Sequence, residues 1–483
     1  MKVLVTNPPW PGPGYGARSD VRWPHKRSDK YLEYPIYLAY TVAVLEEAGF
    51  EVGFLDGVME EMSIAEFAEA VAKEEPDLVV VECSTPSIEY DLQTAKALKD
   101  KDSDTFVALV GSHTTFFHRD ILEANPEVDA ICRGEFELTV KELAQTLAQD
   151  GDLSKVLGLS YRQDGRIQVN PERPLLEDLD SLPFPAWHIV RGEGYRSAVF
   201  SGHRPMTIVS SRGCPAHCTY CLWPETLYGH KFRARSASNV VEEIEWLVRD
   251  YGVDEIYFDD DCLTLDKERM LEICRLIQEK EIQVTWICQS RVDTVDEEML
   301  VAMKKAGCHY IYFGVESGSP KMLKLMRKGI SLSRTKETFA ICRRLGIKAQ
   351  AFFLFGIPGE DQETIRQTIE FAKELDPDSV QFAVAIPHPG TQLYEECQRN
   401  GWLVYDSWGD FTSKHSLIAT EKLSKEETER ARVQAYREFY FRPRFILKTA
   451  LRIRSLKDLR RALRSAKSIA DRISFFEAEG EGC

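Results

Sequence analysis

Short apolar runs alternate with amphipathic stretches along the first 150 residues of the chain. The runs are KVLVTN, EVGFLD, DLVVVECS, TFVALVG and VDAICRG. The helical pattern lies between them, at 37–48, 64–73, 90–99 and 138–149. Strands that are apolar on both faces and joined by helices are typical of a parallel sheet covered on both sides. Residues 1–150 are therefore predicted to form a doubly wound, Rossmann-like α/β domain that binds its ligand at the carboxyl ends of the strands.

The same alternation resumes after residue 200. Six further runs are MTIVSSRG, EIYFDDD, QVTWICQSR, HYIYFGVES, KAQAFFLFGIP and SVQFAVAIP, with helical patterns between them. Six β/α units in succession predict a partial (β/α)6 TIM-type barrel over residues 201–400, with its active site at the carboxyl ends of the strands. Residues 151–200 have weaker periodicity and several prolines, which favours a linker. Residues 401–483 are predicted to form a helical, basic segment.

Charge is distributed unevenly along the chain. The net charge of −16 argues against a nucleic-acid-binding protein, yet residues 442–472 carry eleven Lys and Arg against Asp458 and Asp471. Leucines and isoleucines recur at helical spacing among these basic residues, so the helix either lies on an anionic membrane or packs its leucines onto the barrel. No apolar run approaches the roughly 20 residues of a bilayer span, and MKVLVTNPPW is not typical of a signal peptide. We expect a cytoplasmic protein, with peripheral membrane contact as one of the two alternatives for that helix.

Three of the twelve cysteines are clustered in SRGCPAHCTYCLWP, directly after the first predicted barrel strand. They are Cys214, Cys218 and Cys221. Structural zinc sites usually have four ligands. Three thiolates can instead hold three irons of a cubane cluster and leave the fourth iron open to a substrate or cofactor. A zinc site that recruits His217 or His230, or three incidental thiols, are the alternatives.

This motif at the start of a six-unit β/α pattern resembles the radical SAM (AdoMet) superfamily. In that superfamily the open iron binds S-adenosylmethionine (AdoMet), and one electron cleaves the cofactor to a 5′-deoxyadenosyl radical. The resemblance implies that the three cysteines hold a [4Fe-4S] cluster. It also implies AdoMet contacts at Tyr220, Asp259, Asp260, Ser290, Arg291, Glu316, Lys328 and Gly356. The usual Gly-Gly-Glu of the second strand end is absent, and YFDDD takes its place.

The N-terminal domain lacks the glycine fingerprint of dinucleotide-binding domains and the Walker lysine motif. Placed before a radical AdoMet barrel, it resembles the cobalamin-binding domains of the cobalamin-dependent radical AdoMet enzymes. The corrin-facing residues that this implies are Asn7, Ser84, Thr85, Gly111, Ser112, His113, Gly134 and Glu135. The Asp-x-His-x-x-Gly motif that donates a histidine to cobalt is absent, so base-off cobalamin without a histidine ligand is expected. A domain that serves only as a scaffold is the alternative.

Two segments, CTYCLWPETLYGHKFRARSASNVVEEI and STPSIEYDLQTAKALK, resemble hopanoid-biosynthesis radical AdoMet proteins and, more distantly, anaerobic magnesium-protoporphyrin IX monomethyl ester cyclase. This implies an enzyme that removes hydrogen from an unactivated carbon of a hydrophobic, lipid- or tetrapyrrole-like small molecule. Methyl transfer, cyclisation, rearrangement or oxidation would follow. The resemblance also implies an electron donor such as flavodoxin or ferredoxin, and no nucleic acid. No radical-quenching residue is assigned.

Two other classes of protein are alternatives to a cobalamin-dependent radical AdoMet enzyme. An RNA methylthiotransferase would carry further cluster cysteines in its N-terminal domain and an RNA-binding module, whereas this domain has only Cys83 and Cys132. A zinc- or cobalamin-dependent sensor would have no catalytic activity.

Overall fold

The computed structural model describes residues 1–10, 12, 15–18, 25–27, 32–189, 195, 202–452, 467 and 470. The strands are β1 (Lys2–Asn7), β2 (Tyr15–Ala17), β3 (His25–Arg27), β4 (Glu51–Asp56), β5 (Leu78–Glu82), β6 (Phe106–Val110), β7 (Ala130–Cys132), β8 (Leu159–Gln163), β9 (Arg166–Val169), β10 (Pro205–Ile208), β11 (Ser211–Arg212), β12 (Arg233–Ala234), β13 (Glu255–Phe258), β14 (Thr285–Ser290), β15 (Cys308–Glu316), β16 (Lys348–Phe355) and β17 (Ser379–Val384). The α-helices are α1 (Ile36–Glu47), α2 (Ile64–Glu74), α3 (Ile88–Lys101), α4 (Ser112–Phe116), α5 (His118–Ala124), α6 (Glu137–Ala148), α7 (Ala237–Tyr251), α8 (Lys267–Glu279), α9 (Glu297–Lys305), α10 (Pro320–Leu325), α11 (Leu332–Leu345), α12 (Gln362–Leu375), α13 (Gln392–Asn400), α14 (Lys425–Tyr440) and α15 (Pro443–Arg452).

The N-terminal sheet has seven strands in the order β4-β1-β5-β6-β7-β8-β9. The first five are parallel, and the helices that connect them cover both faces. All five residues of the central strand β5, LVVVE, are buried, because helices exclude water from both of its faces. The predicted doubly wound α/β fold is confirmed.

A hairpin extends this sheet inside the segment that the sequence analysis treated as a linker. Strands β8 and β9 pair with each other antiparallel, and β8 pairs antiparallel with β7. Asp164 and Gly165 at the tip both have positive φ, 48° and 71°. Two consecutive residues with positive φ match the twist of the strands in a hairpin with a two-residue turn. Asp-Gly is a strong sequence signal for such a turn. The signal is present in YRQDGRIQV and was missed.

The second sheet has six parallel strands in the order β10-β13-β14-β15-β16-β17. The predicted partial (β/α)6 barrel is confirmed. Its outer helices start where a short polar side chain accepts a hydrogen bond from the first turn, as Asp266, Asp296 and Asp361 do for α8, α9 and α12. These caps fix where each helix begins. The loops between the strand ends and the capped helices can therefore carry the residues of the candidate site.

The two sheets share one apolar core. Helix α1 is buried from Ile36 to Leu45 because it lies between the N-terminal sheet and the barrel. Its Tyr37 ring packs 5.8 Å from Trp223 and 5.2 Å from Tyr228, both on the barrel side. The helix therefore fixes the N-terminal sheet against the barrel loop that carries the clustered cysteines.

The C-terminal segment also joins the two domains. Helix α14 packs on the last barrel strand, where the Tyr436 hydroxyl accepts a hydrogen bond from the Phe382 amide at 3.2 Å. Before α14, residues 402–418 return to the N-terminal domain and place the Trp408 ring 4.9 Å from the ring of His113. Among the described residues, no helix is long and apolar enough to cross a membrane.

Candidate active site between the two domains

The three clustered cysteines lie on a loop between β11 and a π-helical turn at Pro224–Tyr228. The Gly213 amide donates to a carboxylate oxygen of Asp261 at 2.8 Å, and the Thr219 amide donates to the Met326 carbonyl at 3.1 Å. Gly213 has φ +82°, and a Cβ there would lie 2.2 Å from the Lys231 carbonyl oxygen. Only glycine fits this position. The loop is therefore held by the segment after β13 and by the end of α10.

Two of the three thiols are partly exposed, and the surroundings of one of them lower its pKa. Cys218 is buried, and Cys214 and Cys221 are half-buried. Hydrogen bonding from Cys262, a buried cysteine after β13, lowers the pKa of Cys214 to about 6. A thiolate is the form that binds a metal. Cys262 was not among the predicted site residues, because its segment carries no cysteine motif.

The geometry does not support the zinc alternative. Both ring nitrogens of His230 are engaged, because Nδ1 donates to the Cys214 carbonyl at 3.0 Å and Nε2 lies 3.1 Å from a Glu225 carboxylate oxygen. The His217 ring stacks on it with centroids 4.0 Å apart. Within the described part of the chain, no three His, Cys, Asp or Glu side chains could hold a single metal ion. In a cubane each thiolate binds a different iron, so the cysteines need not converge on one point.

A buried ion pair stands beside the cysteines. The Lys328 ammonium donates to the Glu316 carboxylate at 2.7 Å, and both side chains are 8% exposed. Burial acts to lower the pKa of Lys328, but the charges of Glu316 and Cys218 outweigh it and raise that pKa. Lys328 is therefore a fixed cation beside the cysteine loop.

Glu316 has an unusual backbone conformation at the end of β15. Its φ is +65°, and the pairing of β15 with β16 shifts register between Gly314 and Glu316. Such a bulge re-aims a side chain, and a non-glycine residue with positive φ is often found at functional sites. Here it turns the Glu316 carboxylate toward Lys328.

Tyr220 has a buried hydroxyl without a hydrogen bond among the described residues. The ring lies in an apolar cluster with Cys218, Met322 and Met326. Burial, and after it the negative charge of Glu316, raise the pKa of Tyr220 well above its usual range. An orphaned polar atom in a buried site marks a place where a ligand would complete the structure.

The other predicted AdoMet residues lie at the ends of neighbouring barrel strands. Asp259 accepts a hydrogen bond from Gln289 at 3.0 Å. Asp260 points the other way and accepts from the hydroxyls of Ser210 and Ser211 at 2.7 and 2.6 Å, so it braces the strand before the cysteine loop.

The third and fifth strand ends complete this edge of the barrel. Ser290 shares a hydrogen bond of 2.7 Å with Thr264, and Arg291 donates to the Lys328 carbonyl at 2.8 Å. Gly356 has φ +87° and donates its amide to Glu360. All eight predicted residues thus lie along one edge of the barrel sheet.

The carboxyl edge of the N-terminal sheet is held by a buried polar network. Arg18, 1% exposed, donates to Asn7 at 2.5 Å and to Asp91 at 2.7 Å. Asp91 also accepts from the Ser87 hydroxyl at 2.6 Å, and Ser87 and Ser84 hydroxyls are 2.8 Å apart. The predicted residues Asn7 and Ser84 are thereby fixed in place, whereas Arg18 and Asp91 carried no sequence motif.

His113 and its neighbours form the next part of the same edge. His113 shares a hydrogen bond of 3.2 Å with the Thr85 hydroxyl, and burial lowers the pKa of His113 to about 3. Gly111 has φ +119°, and Ser112 begins α4 directly after it. The Gly134 amide, from the loop after β7, donates to a hydroxyl of α4 at 3.0 Å. An uncharged histidine and short side chains therefore line this edge.

A buried group of four charges joins the cysteine loop to the N-terminal domain. Arg212, next to the loop, donates to Glu137 of α6 at 2.7 Å and lies 3.4 Å from Glu135. Arg233 donates to Glu135 at 2.8 Å. The Glu135 side chain, predicted to face a corrin, is thus turned toward the barrel. None of these long-range pairs has a local sequence signal.

His388, after β17, is a further residue that the sequence analysis missed. It is 1% exposed, and neither ring nitrogen has a hydrogen-bond partner among the described residues. Together with Tyr220, it gives the region between the two sheets two orphaned polar side chains. The three thiols, Lys328 and these orphaned groups fit a cluster with an open iron, a polar cofactor beside it, and a second ligand on the N-terminal sheet.

Comparison with known proteins agrees with this division of the chain. Residues 208–372 match the family model of the radical SAM superfamily, and residues 26–144 match that of the B12 binding domain. An uncharacterized methyltransferase of Pyrococcus horikoshii is 34% identical over 415 residues, which span 86% of this chain and 89% of the relative.

Two other relatives belong to the groups that the sequence resembles. The anaerobic magnesium-protoporphyrin IX monomethyl ester cyclase of Rubrivivax gelatinosus is 28% identical over 404 residues, or 82% of this chain and 70% of the relative. The hopanoid C-3 methylase of Methylococcus capsulatus is 27% identical over 394 residues, or 80% and 72%. The cobalamin-dependent S-adenosylmethionine radical enzyme OxsB superposes with a TM-score of 0.72 at 16% identity, covering 98% of this chain and 72% of that chain. This last likeness shows the fold.

Proposed function

Because the chain belongs to the radical SAM family of methyltransferases and cyclases that carry a B12-binding domain, we propose that it methylates an unactivated carbon of a hydrophobic small molecule. Family membership also indicates that the protein is an enzyme rather than a sensor, and that its cofactors are [4Fe-4S], AdoMet and cobalamin. When bound, these groups supply a deoxyadenosyl radical and a transferable methyl group. The observation that carries the proposal is the meeting of the cysteine loop and the carboxyl edge of the N-terminal sheet, joined by Arg212 and Glu137.

The chain's own residues would bind and orient these groups. The three cysteines would hold the cluster, and the Glu316–Lys328 pair would place a carboxylate and a cation beside AdoMet. Tyr220 would hold the adenine side with its buried ring and hydroxyl. The other predicted contacts at the strand ends of both sheets are proposed on the same basis. Asp260 and Glu135 are excepted, because Asp260 accepts from Ser210 and Ser211 and Glu135 pairs with Arg212 and Arg233. A small electron-transfer protein such as flavodoxin or ferredoxin would supply the electron.

The hydrophobic character of the substrate is supported by an aromatic cluster at the domain boundary. Trp408 and Phe411 lie 5.0 Å apart, and Tyr405 lies 4.9 Å from Phe411. Phe116, which is 40% exposed, lies on α4 of the N-terminal domain. Phe411 is buried, but Tyr405 is 38% exposed, and exposed aromatic side chains such as Tyr405 and Phe116 at the edge of a site favour an apolar ligand.

Anaerobic turnover with methyl-labelled AdoMet and lipid extracts of the source organism tests the proposal. Label in an extracted lipid supports methyl transfer. Deoxyadenosine without transfer of label to any extract component contradicts methylation and favours cyclisation or oxidation, which the likeness to the cyclase makes the second candidate. The same reactions with a Cys218→Ala variant in place of the wild-type protein give the background for label transfer and for deoxyadenosine formation.

We also propose that helix α15 contacts an anionic lipid surface. A helix on a protein surface normally turns polar residues outward. Here Ile446, Leu447 and Leu451 face outward and are 53%, 61% and 71% exposed. Residues 442–472 add a net charge of +9. This combination fits an anionic membrane, whereas a second copy of the same basic segment would be repelled.

Co-sedimentation with vesicles of anionic phospholipid tests this contact. The full-length protein is expected to pellet, and a 1–440 truncation and an Ile446→Ser/Leu447→Ser/Leu451→Ser variant are expected to stay in solution. Vesicles of zwitterionic lipid serve as the control for charge. Equal pelleting of all three proteins, or of none, contradicts the proposal.

A further inference from the structure

A buried histidine of the barrel faces the N-terminal domain without a hydrogen-bond partner. His388 lies in the loop after β17, and its backbone is fixed by the Thr391 hydroxyl, which donates to the His388 carbonyl at 2.6 Å. The side chain is 1% exposed, and both ring nitrogens are unpaired among the described residues. An imidazole buried in this way costs free energy that a phenylalanine of similar shape would avoid. Its two polar atoms are therefore expected to serve a bound ligand.

The loop that carries His388 packs directly on the N-terminal domain. A Cβ at Gly390 would lie 3.4 Å from the Phe116 ring of α4, and Phe116 lies 6.2 Å from Tyr394 of α13. His388 is also near enough to His113 of α4 to affect its ionisation. His388 thus lies at the carboxyl edge of the N-terminal sheet, although it belongs to the barrel.

The chemistry of this place favours an uncharged polar ligand. Burial lowers the pKa of His388 to about 4 and that of His113 to about 3, so both rings are neutral at physiological pH. A neutral imidazole offers one donor and one acceptor. Without a positive charge it gives no particular preference for phosphate or carboxylate. Primary carboxamides surround the rim of the corrin ring. Each has a donor and an acceptor, so they can hydrogen bond to either nitrogen of a neutral imidazole.

We propose that His388 is a cobalamin-binding residue supplied by the barrel, and that its ring hydrogen bonds to carboxamide groups at the corrin rim. Cobalamin would then be held by both domains rather than by the N-terminal sheet alone. This inference rests on the cobalamin part of the proposed function. It assigns His388 to the rim of the corrin, not to the cobalt.

Binding of hydroxocobalamin to the anaerobically reconstituted full-length protein tests this assignment. In equilibrium dialysis, His388→Phe is expected to raise the dissociation constant about tenfold. This loss of affinity is typical of one or two hydrogen bonds between uncharged groups. His388→Gln keeps a donor and an acceptor and is expected to lose less. His309→Phe is the matched control, because His309 is the second residue of β15, at the opposite end of the barrel, and bonds to Glu255 at 2.6 Å.

The outcomes separate this inference from the proposed function. If the wild-type protein binds no hydroxocobalamin, the cobalamin part of the function is wrong. If wild type and His388→Phe bind equally, only the role of His388 is wrong. Nitrogen splitting in the cob(II)alamin EPR spectrum that disappears in His388→Phe would show a cobalt ligand and overturn the assignment to the rim. If His388→Phe does not fold, as judged by circular dichroism, His388→Leu replaces it in the same comparison.

Discussion

The ion pair between Arg212 and Glu137 makes a sharp prediction about how the two domains are held together. Both side chains are 3% exposed, and the guanidinium also lies 5.3–5.6 Å from the rings of Tyr37, Tyr40 and Tyr228. Arg212→Met leaves the Glu137 carboxylate buried without a cation. Removing one partner of a buried pair typically costs about 3–5 kcal/mol, whereas replacing both by apolar residues is often neutral. The single variant should therefore be less stable than the double variant.

Urea unfolding followed by tryptophan fluorescence measures this order, because the free energy of unfolding falls linearly with denaturant. We expect Arg212→Met to lose about 3 kcal/mol or more, and Arg212→Met/Glu137→Met to recover most of that loss. Arg249→Met is the control, since Arg249 pairs with Asp250 on the surface and such pairs contribute about 1 kcal/mol or less. A double variant no more stable than Arg212→Met would refute the reasoning.

Two further predictions concern the barrel edge. Lys328→Met should weaken AdoMet binding to the reconstituted protein by about tenfold or more, because it removes a buried cation beside the cofactor site. Lys321→Met removes an exposed cation paired with Asp361 and should leave the AdoMet affinity unchanged. Equal AdoMet affinities of the Lys328→Met and Lys321→Met variants would exclude the contact between Lys328 and AdoMet. Glu360 has its pKa raised from 4.5 to about 8 by burial. A carboxyl whose pKa rises on folding contributes stability at low pH that is lost as the pH rises toward 8, so Glu360→Gln should stabilise the protein increasingly between pH 5 and 8, by up to about 5 kcal/mol. A thermal-melting difference that is constant over this range would contradict the raised pKa.

The regular part of the fold could be predicted from sequence because its signals are local. Strands such as β5 are apolar on both faces, as Leu78 to Val81 are before the terminal Glu82, because helices cover both sides, and this pattern differs from the alternation of a surface strand. The hairpin of β8 and β9 also had a local signal, the Asp-Gly turn at 164–165. The prolines that follow this hairpin, from Pro171 onward, are typical of a linker and obscure that signal.

The candidate site divides in the same way. The cysteine motif could be found because all three thiols lie within eight residues of one loop. Arg212 and Glu137 are 75 positions apart, and their pairing depends on how α6 docks against the barrel. His388 lies in IPHPG, which has no feature of a binding motif, and only its burial without a partner distinguishes it. Contacts between domains are set by packing, which the periodicity of a sequence does not encode.

Reductive cleavage of AdoMet is the most direct test of the central claim, that three cysteines hold a cluster with an open iron. After anaerobic reconstitution, the wild-type protein should contain about four irons per chain and form 5′-deoxyadenosine when dithionite is added. The Cys214→Ala/Cys218→Ala/Cys221→Ala variant should still bind hydroxocobalamin but hold no cluster and form no deoxyadenosine. Formation of deoxyadenosine by that variant, or its absence in an iron-loaded wild-type protein, would contradict the account.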